Sequence, residues 1–418
     1  MNLFIRIKLS LMMFLEFFIW GSWFVTLGTF LGRNLQANGS ETAAVFSTQS
    51  FGAIIAPFII GLIADRYFNA ERILGVLHLI GAILMSQMYY ATDFSGFYPY
   101  VFAYMILFMP TLALVNSISF NQMKSAEKEF SSIRIWGTIG WIIAGLCISF
   151  LFHWDSSEGV RDGFLRNTFA MAGISSLILG IFSFSLPKTP PTIFKGEKVA
   201  LSSLLGLEAL KMLNNRNFLI FFISSILICI PLAFYYQNAN LFLSEIGMEN
   251  PTGKMTIGQV SEVLFLLLLP FFFSKFGFKR TILVGMIAWV IRYTLFAYGN
   301  VEGLSTMLII GIALHGICYD FFFVSGQIYT NSKAGEQYKS AAQGLITLAT
   351  YGIGMLIGFW VAGIVSDAYK VSETQHDWEK IWMLAAGIAA VVSGLFFITF
   401  SQNKENSAVK MNSDLKEI

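Results

Sequence analysis

Twelve long apolar runs decide what this chain can fold into. They fall at roughly 8–31, 43–64, 71–92, 97–120, 134–153 and 167–186, and resume at 217–244, 256–274, 280–299, 303–330, 341–366 and 379–400. A helix rising 1.5 Å per residue needs about 20 residues to cross about 30 Å of hydrocarbon, and each run meets that length. Backbone polar groups in lipid must be satisfied within the segment, so runs of this kind become helices. The expected fold class is therefore an all-α polytopic membrane protein with twelve transmembrane helices. Composition agrees: 12% of the 418 residues are charged, about half of what a soluble chain carries.

The start of the chain, Met1–Lys8 followed by Leu9–Phe30, has the outline of a signal peptide. Its apolar stretch is too long, contains Glu16 and lacks a small-residue cleavage site, so it reads as a first membrane helix. Orientation follows from Lys and Arg. With the N-terminus inside, the outer segments hold only Arg33, Arg161, Arg166, Lys254, Lys370 and Lys380, and nearly all other basic residues fall on the cytoplasmic side. That bias places both termini in the cytoplasm.

The longest polar stretch contains Pro187, Pro190, Pro191 and several lysines, and it divides six runs from six. The expected domains are an N-terminal six-helix bundle at 1–187, a cytoplasmic linker at 188–216, a C-terminal six-helix bundle at 217–400 and a tail at 401–418. The scattered linker lysines suit an anionic membrane surface rather than nucleic acid. Cys147, Cys229 and Cys318 lie in apolar runs and read as small core residues. No nucleophile triad or metal-ligand cluster stands out, so neither an enzyme nor a cofactor or metal is expected.

Function is carried by ionisable side chains inside the runs. Full charges at membrane depth are costly and normally face a bundle interior or a solute path. Glu16 sits in the first run beside Trp20 and Trp23, and either binds protons or solute or ties helices together. Thr26, Thr29, Gln49 and Asn116 are of the kind that hydrogen-bond between helices. After the second run, Gly61, Asp65 and Arg66 form a tight helix exit in which an Asp–Arg pair can latch neighbouring helices. Lys275-Phe-Gly277-Phe-Lys279-Arg280 is a degenerate counterpart without the acid. Arg134 and Thr138 lie one turn apart with Trp141 following; Arg134 either reaches headgroups or enters a cavity.

In the second half, Pro231 precedes Phe234-Tyr235-Tyr236-Gln237-Asn238-Ala239-Asn240, a set of ring faces and amides suited to a planar polar solute. An outer aromatic belt with solvent-facing Asn238 and Asn240 is the other reading. Gln259 and Glu262 share a face, and Arg292, His315, Tyr319 and Asp320 follow in the next two runs. Arg292 paired with Asp320 or Glu262 would explain how the charge is tolerated, and an ion pair that a proton can break is a means of coupling.

Taken together, Arg134-Ile-Trp-Gly-Thr138, Gln259-Val-Ser-Glu262, Ala288-Trp-Val-Ile-Arg292, Leu295-Phe-Ala-Tyr298-Gly and Tyr319-Asp320-Phe-Phe resemble the bacterial nucleoside:proton symporters of the major facilitator superfamily. The Gly61–Arg66 stretch resembles that superfamily's signature loop. The similarity runs from Trp20-Gly-Ser-Trp23 to the last run. It implies a monomeric carrier of the bacterial inner membrane that imports nucleosides with protons by alternating access. The nucleoside would lie between two six-helix bundles, against Arg134, Thr138, Trp141, Gln259, Glu262, Tyr319 and Asp320. Tyr235, Tyr236 and Gln237 are added from the residues themselves. Asp320, Glu262 and Glu16 are the candidates for the proton; Gly61, Asp65, Arg66, Arg292 and His315 are structural or gating candidates. Trp141 stands where the family carries phenylalanine and keeps the ring. Ala233 and Tyr236 stand where the family's amides are expected, so purine against pyrimidine preference stays open. A carrier for another small polar solute, such as a sugar, is the alternative.

Overall fold

A computed structural model describes residues 2–59, 67–123, 129–191, 207–334 and 339–401. Gly61, Asp65 and Arg66 lie outside the described residues. The long helices are α1 (Leu3–Trp23), α2 (Gly39–Ile59), α3 (Ala70–Tyr90), α4 (Phe94–Asn121), α5 (Ser131–Leu151) and α6 (Phe164–Ser183). They continue as α7 (Arg216–Glu245), α8 (Pro251–Tyr298), α9 (Ser305–Ala334), α10 (Ala341–Ala368) and α11 (Trp378–Thr399). A short antiparallel hairpin, Lys370–Ser372 with Gln375–His376, precedes α11.

Nine of these helices, among the described residues, are long and apolar enough to cross a membrane. α1 stands outside that set because Arg6, Lys8 and Glu16 interrupt it, and α2 runs to the edge of the described residues. α8 is interrupted at Gly277, where φ is 72° and ψ 173°. Glycine takes that left-handed backbone without a Cβ clash, so the chain turns there instead of continuing one rod. The polar spacer between the runs at 256–274 and 280–299 is thus a break of the helix at a single residue.

The chain forms two compact units: Met1–Ala200 with Glu249–Gly253, and Leu201–Met248 with Lys254–Ile418. In the first, α1 packs along α5 and α6, α3 packs on α4 and α6, and α2 packs on α4. The closeness of α1 and α5 depends on Gly140, where an added Cβ would collide with the carbonyl of Phe14. Ser149 and Asp155 hold the segment that this unit borrows. Asp155 accepts from the Thr252 N–H at 2.9 Å, and Ser149 accepts from the Gly253 N–H at 2.6 Å. A carboxylate thereby meets a first-turn N–H of α8, at the positive end of the helix dipole. In the second unit α7 is central, packed on α10 and α11.

Outward-facing positions are apolar: Ile83, Leu267, Val391 and Ile398 are all more than 60% exposed. The interiors hold Glu16, His78, Arg292, His315 and Asp320. Apolar residues outside and ionisable residues inside is the distribution that lipid imposes, since lipid solvates the first group and not the second.

Candidate functional site

Each unit assembles its own polar set. In the second unit the helices bring five sequence-predicted residues into one chain of contacts. The Arg292 guanidinium is fully buried and lies 3.6 Å from the centroid of the Tyr235 ring. Its Nη1 is 3.1 Å from His315 Nδ1. Arginine offers only donors, so Nδ1 accepts and the imidazole hydrogen resides on Nε2. That Nε2–H faces Glu262 Oε2 at 3.9 Å. The imidazole stacks on Tyr235 at 5.4 Å and on Tyr319 at 5.9 Å. Tyr319 shares a 3.0 Å hydrogen bond with the Tyr351 hydroxyl. Tyr236 lies within electrostatic reach of both Tyr351 and Glu262.

This arrangement corrects one expectation. Arg292 forms no direct ion pair with Asp320 or Glu262; His315 stands between it and Glu262. The ring face of Tyr235 supplies the rest, because a guanidinium sheds its weak hydration readily and stacks on aromatic planes. The belt reading of α7 is also set aside. Tyr235, Gln237, Asn238 and Asn240 are all buried, and Asn238 donates to Ser366 Oγ at 3.1 Å.

Asp320 follows Tyr319 at the point where α9 widens into a π-turn over Asp320–Val324. Such turns recur at functional sites because the extra residue redirects side chains. Asp320 is 1% exposed, and neither carboxylate oxygen has a hydrogen-bond partner among the described residues. The Glu262 carboxylate lies within electrostatic reach of it. Among the described residues the buried Gln237 side chain likewise has both polar ends unpartnered, although buried polar groups are nearly always paired. Tyr351 also sits in a π-turn, Leu348–Gly354. Sequence reasoning missed it, although a tyrosine flanked by Thr350 and Gly352 in an apolar run was a readable signal.

In the first unit, the Arg134 guanidinium lies 4.1 Å from the centroid of the Phe17 ring, and Trp141 meets Trp20 edge-on at 5.5 Å. Arg134, Thr138 and Trp141 are each partly buried on successive turns of α5. Gln259 is likewise partly buried, one turn before Glu262 on α8. Glu16 is not brought to the Arg134 set. It turns to His78 and Thr111, which sequence reasoning did not single out. His78 was findable as the lone ionisable side chain in the interior of the third apolar run. Among the described residues, no group of three or more His, Cys, Asp or Glu side chains is placed to hold a metal.

Comparison with known proteins gives the setting for this geometry. The profile of a family described as nucleoside H+ symporter matches residues 1–405. YegT of Escherichia coli K12, a nucleoside transporter by name, is 42% identical over 97% of this chain and 96% of its own. The xanthosine permease of the same organism is 31% identical over 97% of this chain and 98% of its own. A crystal structure of the nucleoside transporter NupG superposes with a TM-score of 0.85 at 29% identity, covering 96% of this chain and all of that one.

Proposed function

Because the chain belongs to the nucleoside:proton symporter family, we propose that Arg134, Thr138 and Trp141 of the first unit and Tyr235, Tyr236, Gln237, Gln259, Glu262, Tyr319 and Asp320 of the second contact the nucleoside, and that Asp320 carries the proton. The protein is a multi-pass, proton-coupled nucleoside transporter of the bacterial inner membrane, related to the major facilitator superfamily and working by alternating access.

The observation that carries the site reading is Asp320, a buried carboxylate with both oxygens unpartnered among the described residues and a second carboxylate within electrostatic reach. Such a group bears the full cost of lost hydration while charged, and one proton removes that cost. Glu262 lies next to His315 and Tyr236, where hydroxyl or ring N–H groups of a solute would find an acceptor. Tyrosine and tryptophan faces suit a nucleobase. A symporter needs interdependent proton and solute binding, a coupling free energy between two sites. Glu262 and, in the first unit, Glu16 are the remaining proton candidates.

The break at Gly277, together with the 21-residue lengths of α1 and α2, supports twelve spans where nine meet the length and composition test. We take these as a six-helix bundle over 1–187, a cytoplasmic linker over 188–216, a second six-helix bundle over 217–400 and a cytoplasmic tail, with both termini inside and a functional monomer.

The test is Asp320→Asn in proteoliposomes. It should abolish uridine accumulation driven by an imposed pH gradient while leaving downhill exchange. Accumulation equal to the parent at equal expression would remove Asp320 from the proton path.

A further inference from the structure

The first unit buries a second set of titratable side chains, away from Asp320. Glu16 on α1 is fully buried and His78 on α3 is 2% exposed. His78 Nε2 lies 2.8 Å from Glu16 Oε2, and His78 Nδ1 lies 3.0 Å from Ser176 Oγ on α6. Ser176 Oγ is also 2.9 Å from the His78 carbonyl oxygen, and Thr111 Oγ1 on α4 donates to Glu16 Oε1 at 2.6 Å. Four helices therefore meet at one imidazole and one carboxylate.

Counting hydrogens shows what this geometry permits. Without an added proton, Ser176 donates to Nδ1, and Nε2–H donates to the Glu16 carboxylate. With one more proton, Nδ1–H donates to Ser176, whose hydroxyl swings to the His78 carbonyl. A proton then still lies between Nε2 and Oε2. Both states satisfy every ring nitrogen with the same heavy-atom positions, and only the Ser176 hydroxyl turns. A buried ion pair built for stability alone needs one satisfied state; this cluster offers two, differing by one unit of charge.

We propose that Glu16, His78 and Ser176 form a second proton-binding site, and that its charge positions the solute-contacting residues of the first unit. The route is short. Glu16 is followed on α1 by Phe17, which carries the Arg134 guanidinium at 4.1 Å, and by Trp20, which meets Trp141 edge-on. The titratable and charged groups near Glu16 and His78 on the packed helices are Tyr104 of α4, within electrostatic reach of Glu16, and Arg134 of α5, which lies over the Phe17 ring. The stretch Asn167–Ser183 of α6 holds no titratable side chain. A change from net negative to neutral at this cluster is felt in a low-dielectric interior by the Arg134 cation. The coupling to solute rests on the proposed role of Arg134 and Trp141; the proton site itself does not.

The experiment uses the full-length carrier in detergent or lipid. Infrared difference spectra between pH 5 and pH 9 should show imidazole and carboxyl bands that His78→Gln and Glu16→Gln each remove. His78→Gln keeps a hydrogen-bonding amide, and Glu16→Gln probes the same site from the other helix should the first variant fold poorly. Absence of such bands in the parent overturns the proton site, whether or not nucleosides bind. For coupling, uridine affinity is compared at pH 6 and pH 8 in Asp320→Asn with and without His78→Gln. The expected ratio is about fivefold or more in the first and near one in the second. Equal ratios in the two overturn the positioning role. A parent that binds no nucleoside contradicts the site reading of the preceding subsection and leaves the spectroscopic result to decide the proton site.

Discussion

At the residue scale, Asp320 and Glu262 have different surroundings and should fail differently. Asp320 is buried without a hydrogen-bond partner among the described residues, whereas the Glu262 side chain is 25% exposed and lies beside His315. Glu262→Gln keeps shape and one acceptor and removes the charge. It should weaken nucleoside binding by about 1.5–3 kcal/mol, the range for hydrogen bonds to charged groups, and most for nucleosides with every ribose hydroxyl present. Equal losses for ribosides and deoxyribosides, measured by equilibrium binding, would take Glu262 away from the sugar. How much of this set could be read in advance follows from its chemistry. Glu262, His315 and Asp320 announce themselves as ionisable side chains in apolar runs. The Arg292–His315 contact does not, because it depends on how α8 and α9 rotate against each other, and the runs carry no record of that rotation.

At the scale of elements, glycine and π-turns set the geometry. Gly140 lets α5 approach α1 closely enough for Arg134 and Trp141 to meet Phe17 and Trp20. Gly140→Ala should force the pair apart at a cost of about 1–3 kcal/mol, the usual penalty for overfilling a packed contact. The measurement is thermal unfolding of the purified carrier, and an unchanged midpoint would mean that the contact yields without strain. The helical runs were legible from hydropathy, and the spacing of Arg134, Thr138 and Trp141 followed from the helix period. The π-turns that redirect Asp320 and Tyr351 were not, since one extra residue in a turn leaves no mark on an apolar pattern. His78 shows the same limit. Its position was visible, but its pairing with Glu16 across 62 residues required the fold.

At the scale of the whole molecule, each unit encloses its own ionisable interior and turns apolar side chains outward. From the charge asymmetry of the connecting segments we propose that the linker lies inside and the α5–α6 connection outside. Single cysteines at Lys195, in the linker, and at Arg161, exposed before α6, should therefore label from opposite faces of intact cells. Labelling of both from one face would overturn the orientation. The central claim is that this chain moves nucleosides with protons, and one measurement meets it directly. Purified protein in proteoliposomes is given an imposed inward proton gradient, and uridine accumulation is followed with adenosine, xanthosine, free bases and sugars as competitors. The account predicts accumulation that collapses with the gradient and yields to nucleosides but not to sugars. Accumulation that persists without the gradient, or competition by sugars alone, would contradict it.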